Sequence, residues 1–139
     1  MSSTIFKSLV DTTFDSVEGY RMAIDKADNP QLKDALQKRL TERESTLNTM
    51  NDELRRQGDE LVTKGTTAGG LHRVWSNVTD AFQDSDKAAA ERVEEGEDYI
   101  KEKFESALKD DDLHPDERPV VQGCYDEICR GERFGDMID

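Results

Sequence analysis

The spacing of apolar residues along the chain predicts four long amphipathic helices. In residues 4–27 an apolar side chain returns every three or four positions, and similar spacing occurs in residues 30–57, 86–108 and 116–138. This period places one apolar stripe on each helix. Between the first two helices, Asn29-Pro30 supplies a favoured N-cap followed by a favoured first helical residue. Because this link is so short, the two helices are predicted to be antiparallel.

The long crossover at residues 58–85 divides the chain into two halves. Within it, apolar residues at positions i, i+3, i+4 and i+7 predict a short fifth helix around the only tryptophan, Trp75. We expect Trp75 to be buried against the other helices. His72 is interpreted as a surface or capping residue.

The two halves resemble each other. Glu18-Gly19 corresponds to Glu95-Gly96, and Asn29-Pro30 corresponds to His114-Pro115. A repeated helical hairpin with a long link is typical of four-helix bundles with a crossover connection. The sequence therefore predicts an all-α, up-down-down-up four-helix bundle that forms a single domain over residues 1–139.

The net charge and the lack of a long apolar run indicate which partners and which cellular compartment to expect. The net charge is −13: residues 1–84 contribute −3 and residues 85–139 contribute −10. An acidic surface of this kind repels phosphate backbones, so nucleic acid is not expected as a partner. No apolar run is long enough to span a membrane, and the first residues lack the pattern of a signal peptide, which predicts a cytoplasmic protein. Cys124 and Cys129 are expected to be reduced thiols.

Several segments resemble an uncharacterised bacterial family of ferritin-like four-helix bundles, a domain-of-unknown-function group related to the Yci-type stress proteins. They are VEGYRMA, NPQLKDAL, LTERES, GGLHRVW, ERVEEGEDY and QGCYDEI. The resemblance implies a four-helix bundle and no established activity.

A ferritin-like di-metal centre needs a Glu on each of two helices and a Glu-x-x-His pair on each of the other two. The matching positions hold neither of the two required histidines. They are Glu18 and Glu95 for the single carboxylates, and Glu42 with Ser45 and Glu127 with Arg130 for the pairs.

The inward stripes instead carry charges of both signs near mid-bundle. Arg43 and Glu97 occupy positions where the period requires apolar residues, and Arg21 and Glu127 flank them. We interpret these four residues as one ionic network, because an unpaired buried charge would be costly. Two alternatives remain open: a carboxylate site for iron or manganese at Glu18, Glu97 and Glu127, and an ordinary solvated arrangement.

No complete catalytic motif accompanies this layer, so no catalytic residue and no cofactor are predicted. The leading hypothesis is a non-enzymatic, stress-related structural or interaction module with a degenerate di-metal site. The alternative is an iron- or manganese-binding ferritin-like protein or oxidase. Apolar residues near the helix ends, Ile5, Leu9 and Leu61, are expected to contribute to a homodimer.

Overall fold

The regular structure is helical throughout the part of the chain that the computed structural model describes. That part comprises residues 1–63 and 70–130, with the backbone alone for residues 70–72. None of its helices combines the length and apolar character needed to cross a membrane. The five helices are α1 (Thr4–Lys26), α2 (Pro30–Arg56), α3 (Gly70–Ala81), α4 (Asp86–Leu108) and α5 (Arg118–Cys129).

Local sequence signals fix the helix ends. Ser3 and Ser85 cap α1 and α4, each accepting a hydrogen bond from the backbone N–H three residues ahead. Asn29 caps α2 in the same way and Pro30 follows it in the first turn. After α2, Gly58 adopts a φ of 81°, a left-handed conformation that glycine reaches without steric cost.

The helices form a ring in the order α1, α2, α5, α4. Thr13 and Ser16 of α1 bond to Met50 and Arg43 of α2, so these two helices are antiparallel. Cross-helix contacts likewise make α4 and α5 antiparallel, and α2 and α5 antiparallel. α1 and α5 therefore run in one direction and α2 and α4 in the other. α3 lies outside the ring and packs on α1 and α4.

The core consists of two apolar clusters. The first extends from Phe6 and Leu54 to Val17 and Ile100, and it is the cluster to which α5 contributes. The second contains Tyr20, Leu36 and Val93 together with residues of α3. Between the clusters the inward positions of α2 and α4 are Arg43 and Glu97. A polar layer thus divides the core at mid-bundle.

The start of the last helix differs from the predicted position. α5 begins at Arg118 rather than at residue 116, with Pro119 in its first turn, while Pro115 lies in the preceding turn. The Asn29-Pro30 capping arrangement is therefore not repeated at His114-Pro115. The predicted continuation over residues 131–138 lies outside the described residues.

Two of the three residues suggested for a homodimer are partly accessible. Ile5 and Leu61 are half-buried, whereas Leu9 is only 3% exposed and belongs to the first core cluster. Leu9 is therefore mainly a core residue of α1, and the homodimer itself stays a prediction.

Candidate functional site

A buried guanidinium and a buried carboxylate form the centre of the polar layer. Arg43 Nη2 lies 2.9 Å from Glu97 Oε1 and 2.8 Å from Oε2. Arg43 Nη1 donates to Ser16 Oγ at 2.6 Å. Arg43 is 2% exposed and Glu97 7% exposed, so this pair is almost entirely removed from water. The layer thereby joins α2 and α4 through one pair of opposite charges, and α1 through the Ser16 hydroxyl.

Tyr20 and Arg39 complete the surroundings of the Glu97 carboxylate. The fully buried Tyr20 hydroxyl donates to Glu97 Oε1. The Arg43 guanidinium lies 5.7 Å from the centre of the Tyr20 ring, within the range of a cation–π interaction. Arg39 Nη1 is 3.7 Å from Glu97 Oε2. The carboxylate therefore faces two guanidinium groups and one hydroxyl.

The protonation states follow from this geometry. Burial acts to raise the pKa of Glu97, but Arg43, with smaller contributions from Arg39 and the Tyr20 hydroxyl, outweighs it and holds the pKa below its ordinary value. Burial also opposes the charge of Arg43, and the Glu97 carboxylate more than offsets this, so the pKa of Arg43 is raised. Burial and Glu97 both raise the pKa of Tyr20 well above its ordinary value. At neutral pH the layer contains a charged pair and a neutral phenol.

The structure separates the four residues that the sequence grouped together. Arg43 and Glu97 are in contact, but Arg21 lies on the surface, where it pairs with Glu18 and Glu44. Arg21 is therefore outside the buried network, because it lies on the solvent side of α1. Glu127 is half-buried and accepts a hydrogen bond from Thr46 Oγ1 at 2.9 Å. Its carboxylate acts on Arg43 only at longer range.

The carboxylates considered for a metal do not converge on one point. Glu18 and Glu95 are exposed and pair with Arg21 and Arg92 on their own helices. Glu97 faces arginines, and Glu127 belongs to a separate hydrogen bond with α2. Within residues 1–63 and 70–130 no group of three or more His, Cys, Asp or Glu side chains is arranged to hold a metal ion. The side chain of His72 lies outside the described residues.

A slot between two glycines holds the indole of Trp75. A Cβ added at Gly19 would lie 2.1 Å from Trp75 Cδ2, and one added at Gly96 would lie 3.8 Å from Cε2. Trp75 is 4% exposed, and its ring meets the Tyr20 ring edge-on at a centroid distance of 4.9 Å. Its Nε1 has no hydrogen-bond partner among the described residues. α3 is thus attached next to the ionic layer, since Tyr20 contacts both Trp75 and Glu97.

A second buried carboxylate, Glu117, was not predicted from the sequence. It is fully buried and accepts hydrogen bonds from Ser3 N and Oγ, from His114 N and from Gln57 Nε2. Burial acts to raise its pKa, but the hydrogen bonds from Ser3 and His114 outweigh that effect and lower it. Glu117 thereby links the start of α1 with the end of α2 and the turn before α5. Glu117 precedes the first residue of α5, so the apolar spacing within that helix could not predict its burial.

The two thiols have different environments. Cys124 is buried in the first core cluster, where burial raises its pKa to about 12. Cys129 is exposed, and neither residue forms a disulfide within the described part of the chain. A thiol as buried and as weakly acidic as that of Cys124 is a poor nucleophile at neutral pH.

The fold and this layer define the class of protein as a helical bundle with a buried ionic centre and one additional helix packed on its side. Residues 1–110 match the family described as Domain of unknown function (DUF2383), and the chain belongs to that family. No curated protein and no solved structure matches the chain. The matched range contains α1 to α4, and with them the Arg43–Glu97 pair and the Trp75 slot.

Proposed function

We propose that the protein is a non-enzymatic helical module of the ferritin-like type, in which an internal ion pair stands where a di-metal centre would lie. In this proposal it acts by binding other proteins, in the first place a second copy of itself. The proposal includes a stress-related role, which the resemblance to a family related to the Yci-type stress proteins favours, and a cytoplasmic location.

The observation that carries the proposal is the position of the Arg43 guanidinium. It lies almost fully buried between α1, α2 and α4, and its Nη2 contacts both oxygens of Glu97. A metal ion at mid-bundle requires carboxylates that are free to coordinate it. Here the inward carboxylate is already neutralised by an arginine, which supports a structural role for the layer.

The layer also suits a role in specifying the arrangement of the helices. Buried ion pairs add little net stability over apolar residues, but in some proteins they select one register among several. The Arg43–Glu97 contact forms only when these two residues of α2 and α4 lie at the same height along the bundle. Ser16 and Tyr20 bond to the same pair, so α1 must have the matching height as well. A rigid and uniquely aligned bundle presents a defined surface to a partner.

Metal content tests the proposal. The chain is produced in medium supplemented with iron and manganese, purified without chelator, and analysed for metals by inductively coupled plasma mass spectrometry. The expected result is far less than one metal ion per chain, unchanged in Glu97→Gln. About two metal ions per chain, lost in Glu97→Gln or Glu127→Gln but retained in the control Glu91→Gln, which is exposed on the same helix as Glu97, would establish the metalloprotein instead.

A further inference from the structure

An open groove of about 320 Å³ lies between the start of α1 and the end of α4. Ile5 and Leu9 form part of its α1 side, and Ala107 lies on its α4 side. Ile5 is half-buried, whereas Leu9 and Ala107 are 3% and 4% exposed. Further along the same two helices, the corresponding space between Gly19 and Gly96 is filled by Trp75 of α3.

The α4 side of this groove has a self-complementary order of side chains. Lys103, Ser106, Ala107 and Asp110 line it at positions i, i+3, i+4 and i+7, which places them on one face of the helix and its C-terminal end. A basic and an acidic residue thus stand at the two ends, about 10 Å apart along the axis. Two small residues lie midway between them.

This order matches the requirement of a two-fold interface. In such an interface residue i of one copy contacts residue j of the other, and j contacts i. A two-fold axis between Ser106 and Ala107 would bring Lys103 opposite Asp110 of a second copy, twice over. The small central side chains would allow the two α4 helices to approach closely.

The charges indicate a second copy as the occupant. The chain has a net charge of −13, so two copies repel each other unless their contact surface supplies opposite charges. Lys103 is exposed and forms no ion pair within the described part of the chain; its ammonium lies 5.4 Å from the centre of the Tyr99 ring. Asp110 is also exposed; its Oδ1 accepts a hydrogen bond from Asp112 N at 2.9 Å, which leaves Oδ2 for a partner. Both groups are therefore available to a partner.

We infer that the protein forms an antiparallel homodimer through the α1–α4 groove, with Ser106 and Ala107 at the two-fold axis and reciprocal Lys103–Asp110 ion pairs. This inference rests on the proposed role as an interaction module and identifies the surface and the partner.

Charge reversal tests the inference by analytical ultracentrifugation of the full chain. Lys103→Glu and Asp110→Lys each place like charges opposite one another and are expected to raise the dimer dissociation constant at least about tenfold. An equimolar mixture of the two variants restores both opposite-charge pairs and is expected to dimerise like the native chain. The matched control variants Lys33→Glu and Asp34→Lys, exposed on α2, should leave the dissociation constant unchanged.

A cysteine at the axis provides a readout that does not depend on charge. In a Cys129→Ser background, Ser106→Cys is expected to form an intermolecular disulfide under mild oxidation, whereas Ser45→Cys on the exposed face of α2 is not. A monomer at all accessible concentrations would overturn the inference. So would a dimer that is insensitive to both reversals, or one that the mixture does not restore. A monomer would also remove self-association from the proposed function. The other part of that proposal, an internal ion pair in place of a di-metal centre, would stand in each case, because metal content tests it separately.

Discussion

Breaking the Arg43–Glu97 pair from either side should cost far more than removing both charges together. Arg43→Met leaves the Glu97 carboxylate with the Tyr20 hydroxyl and with Arg39, whose Nη1 is 3.7 Å away. Glu97→Met leaves the Arg43 guanidinium with the Ser16 hydroxyl. Removing one partner of a buried pair typically costs about 3–5 kcal/mol. We expect Arg43→Met at the lower end of this range, because Arg39 remains near the carboxylate.

The double variant replaces two buried charges by apolar side chains of similar volume. Its remaining cost comes mainly from the hydroxyls of Ser16 and Tyr20, which lose their partners at about 1–3 kcal/mol each. The loss of the Glu97 carboxylate beside Arg39 is common to the double variant and to Glu97→Met, so it does not enter the coupling. The double variant is therefore expected to lose about 3 kcal/mol less than the sum of the single losses. A double loss smaller than the sum of the single losses indicates that the two charges neutralise each other, whereas independently placed charges would give additive losses.

Urea unfolding at pH 7, followed by circular dichroism and by Trp75 fluorescence, gives the four free energies of unfolding by linear extrapolation. The matched control is the Arg21–Glu44 pair, which has a similar distance of 3.0 Å between Nη2 and Oε2 but is about half exposed. Its coupling should be at most about 1 kcal/mol. Additive losses at Arg43 and Glu97 within about 0.5 kcal/mol would refute the reasoning, because the two groups would then not depend on each other.

Further predictions concern the Trp75 slot and Glu117. Gly19→Ala should destabilise the protein and shift Trp75 emission to longer wavelength, because the added Cβ would lie 2.1 Å from the indole. Gly96→Ala, with its nearest neighbour at 3.4 Å, should be neutral or stabilising by up to about 1 kcal/mol, and equal effects of the two changes in urea titrations would contradict this. Trp75→Ala should cost about 3–5 kcal/mol. Because hydrogen bonds hold the pKa of Glu117 low, its stabilisation is present above the ordinary carboxylate pKa and lost as pH falls through the lowered value. Glu117→Gln should therefore lower stability at pH 7 and flatten the acid limb of the stability–pH profile, and an acid limb parallel to that of the native protein would count against this account.

The sequence predicted the polar layer where a charge interrupts an apolar stripe. Arg43 and Glu97 occupy such positions, so the helical period alone placed both of them inward. The helical period did not exclude Arg21 from the buried network, because Arg21 follows the inward residue Tyr20 and lies only about 100° from it around the helix. Ser16 and Tyr20 were not assigned to the layer, because a hydroxyl group on an inward position of a helix does not by itself predict a charged hydrogen-bond partner.

The end of the molecule where α1 begins was harder to predict. Proline signals only that a helix can start nearby, and the sequence offers both Pro115 and Pro119. The structure uses the second one, with Glu117 directed away from its own helix towards Ser3 and Gln57. These partners are distant in sequence, so the capping pattern of α5 alone could not reveal them.

The correspondence between Glu18-Gly19 and Glu95-Gly96 explains why the ionic layer and the Trp75 slot lie side by side. Gly19-Tyr20 in α1 corresponds to Gly96-Glu97 in α4. The two glycines meet the same indole, and the two residues that follow them form the Tyr20–Glu97 hydrogen bond. Equivalent positions of the two halves are thus neighbours in space.

This relation also accounts for the orientation of the acidic residues that precede the glycines. Glu18 and Glu95 come one position before the buried glycines and two before Tyr20 and Glu97, and both are exposed. At about 100° per residue, a helix that directs the later residue inward directs the earlier one away from the core. In both helices, the buried glycine and the inward residue after it together determine that the preceding Glu faces solvent. Glu18 and Glu95 therefore could not meet at mid-bundle unless α1 and α4 both rotated and Trp75 left its slot.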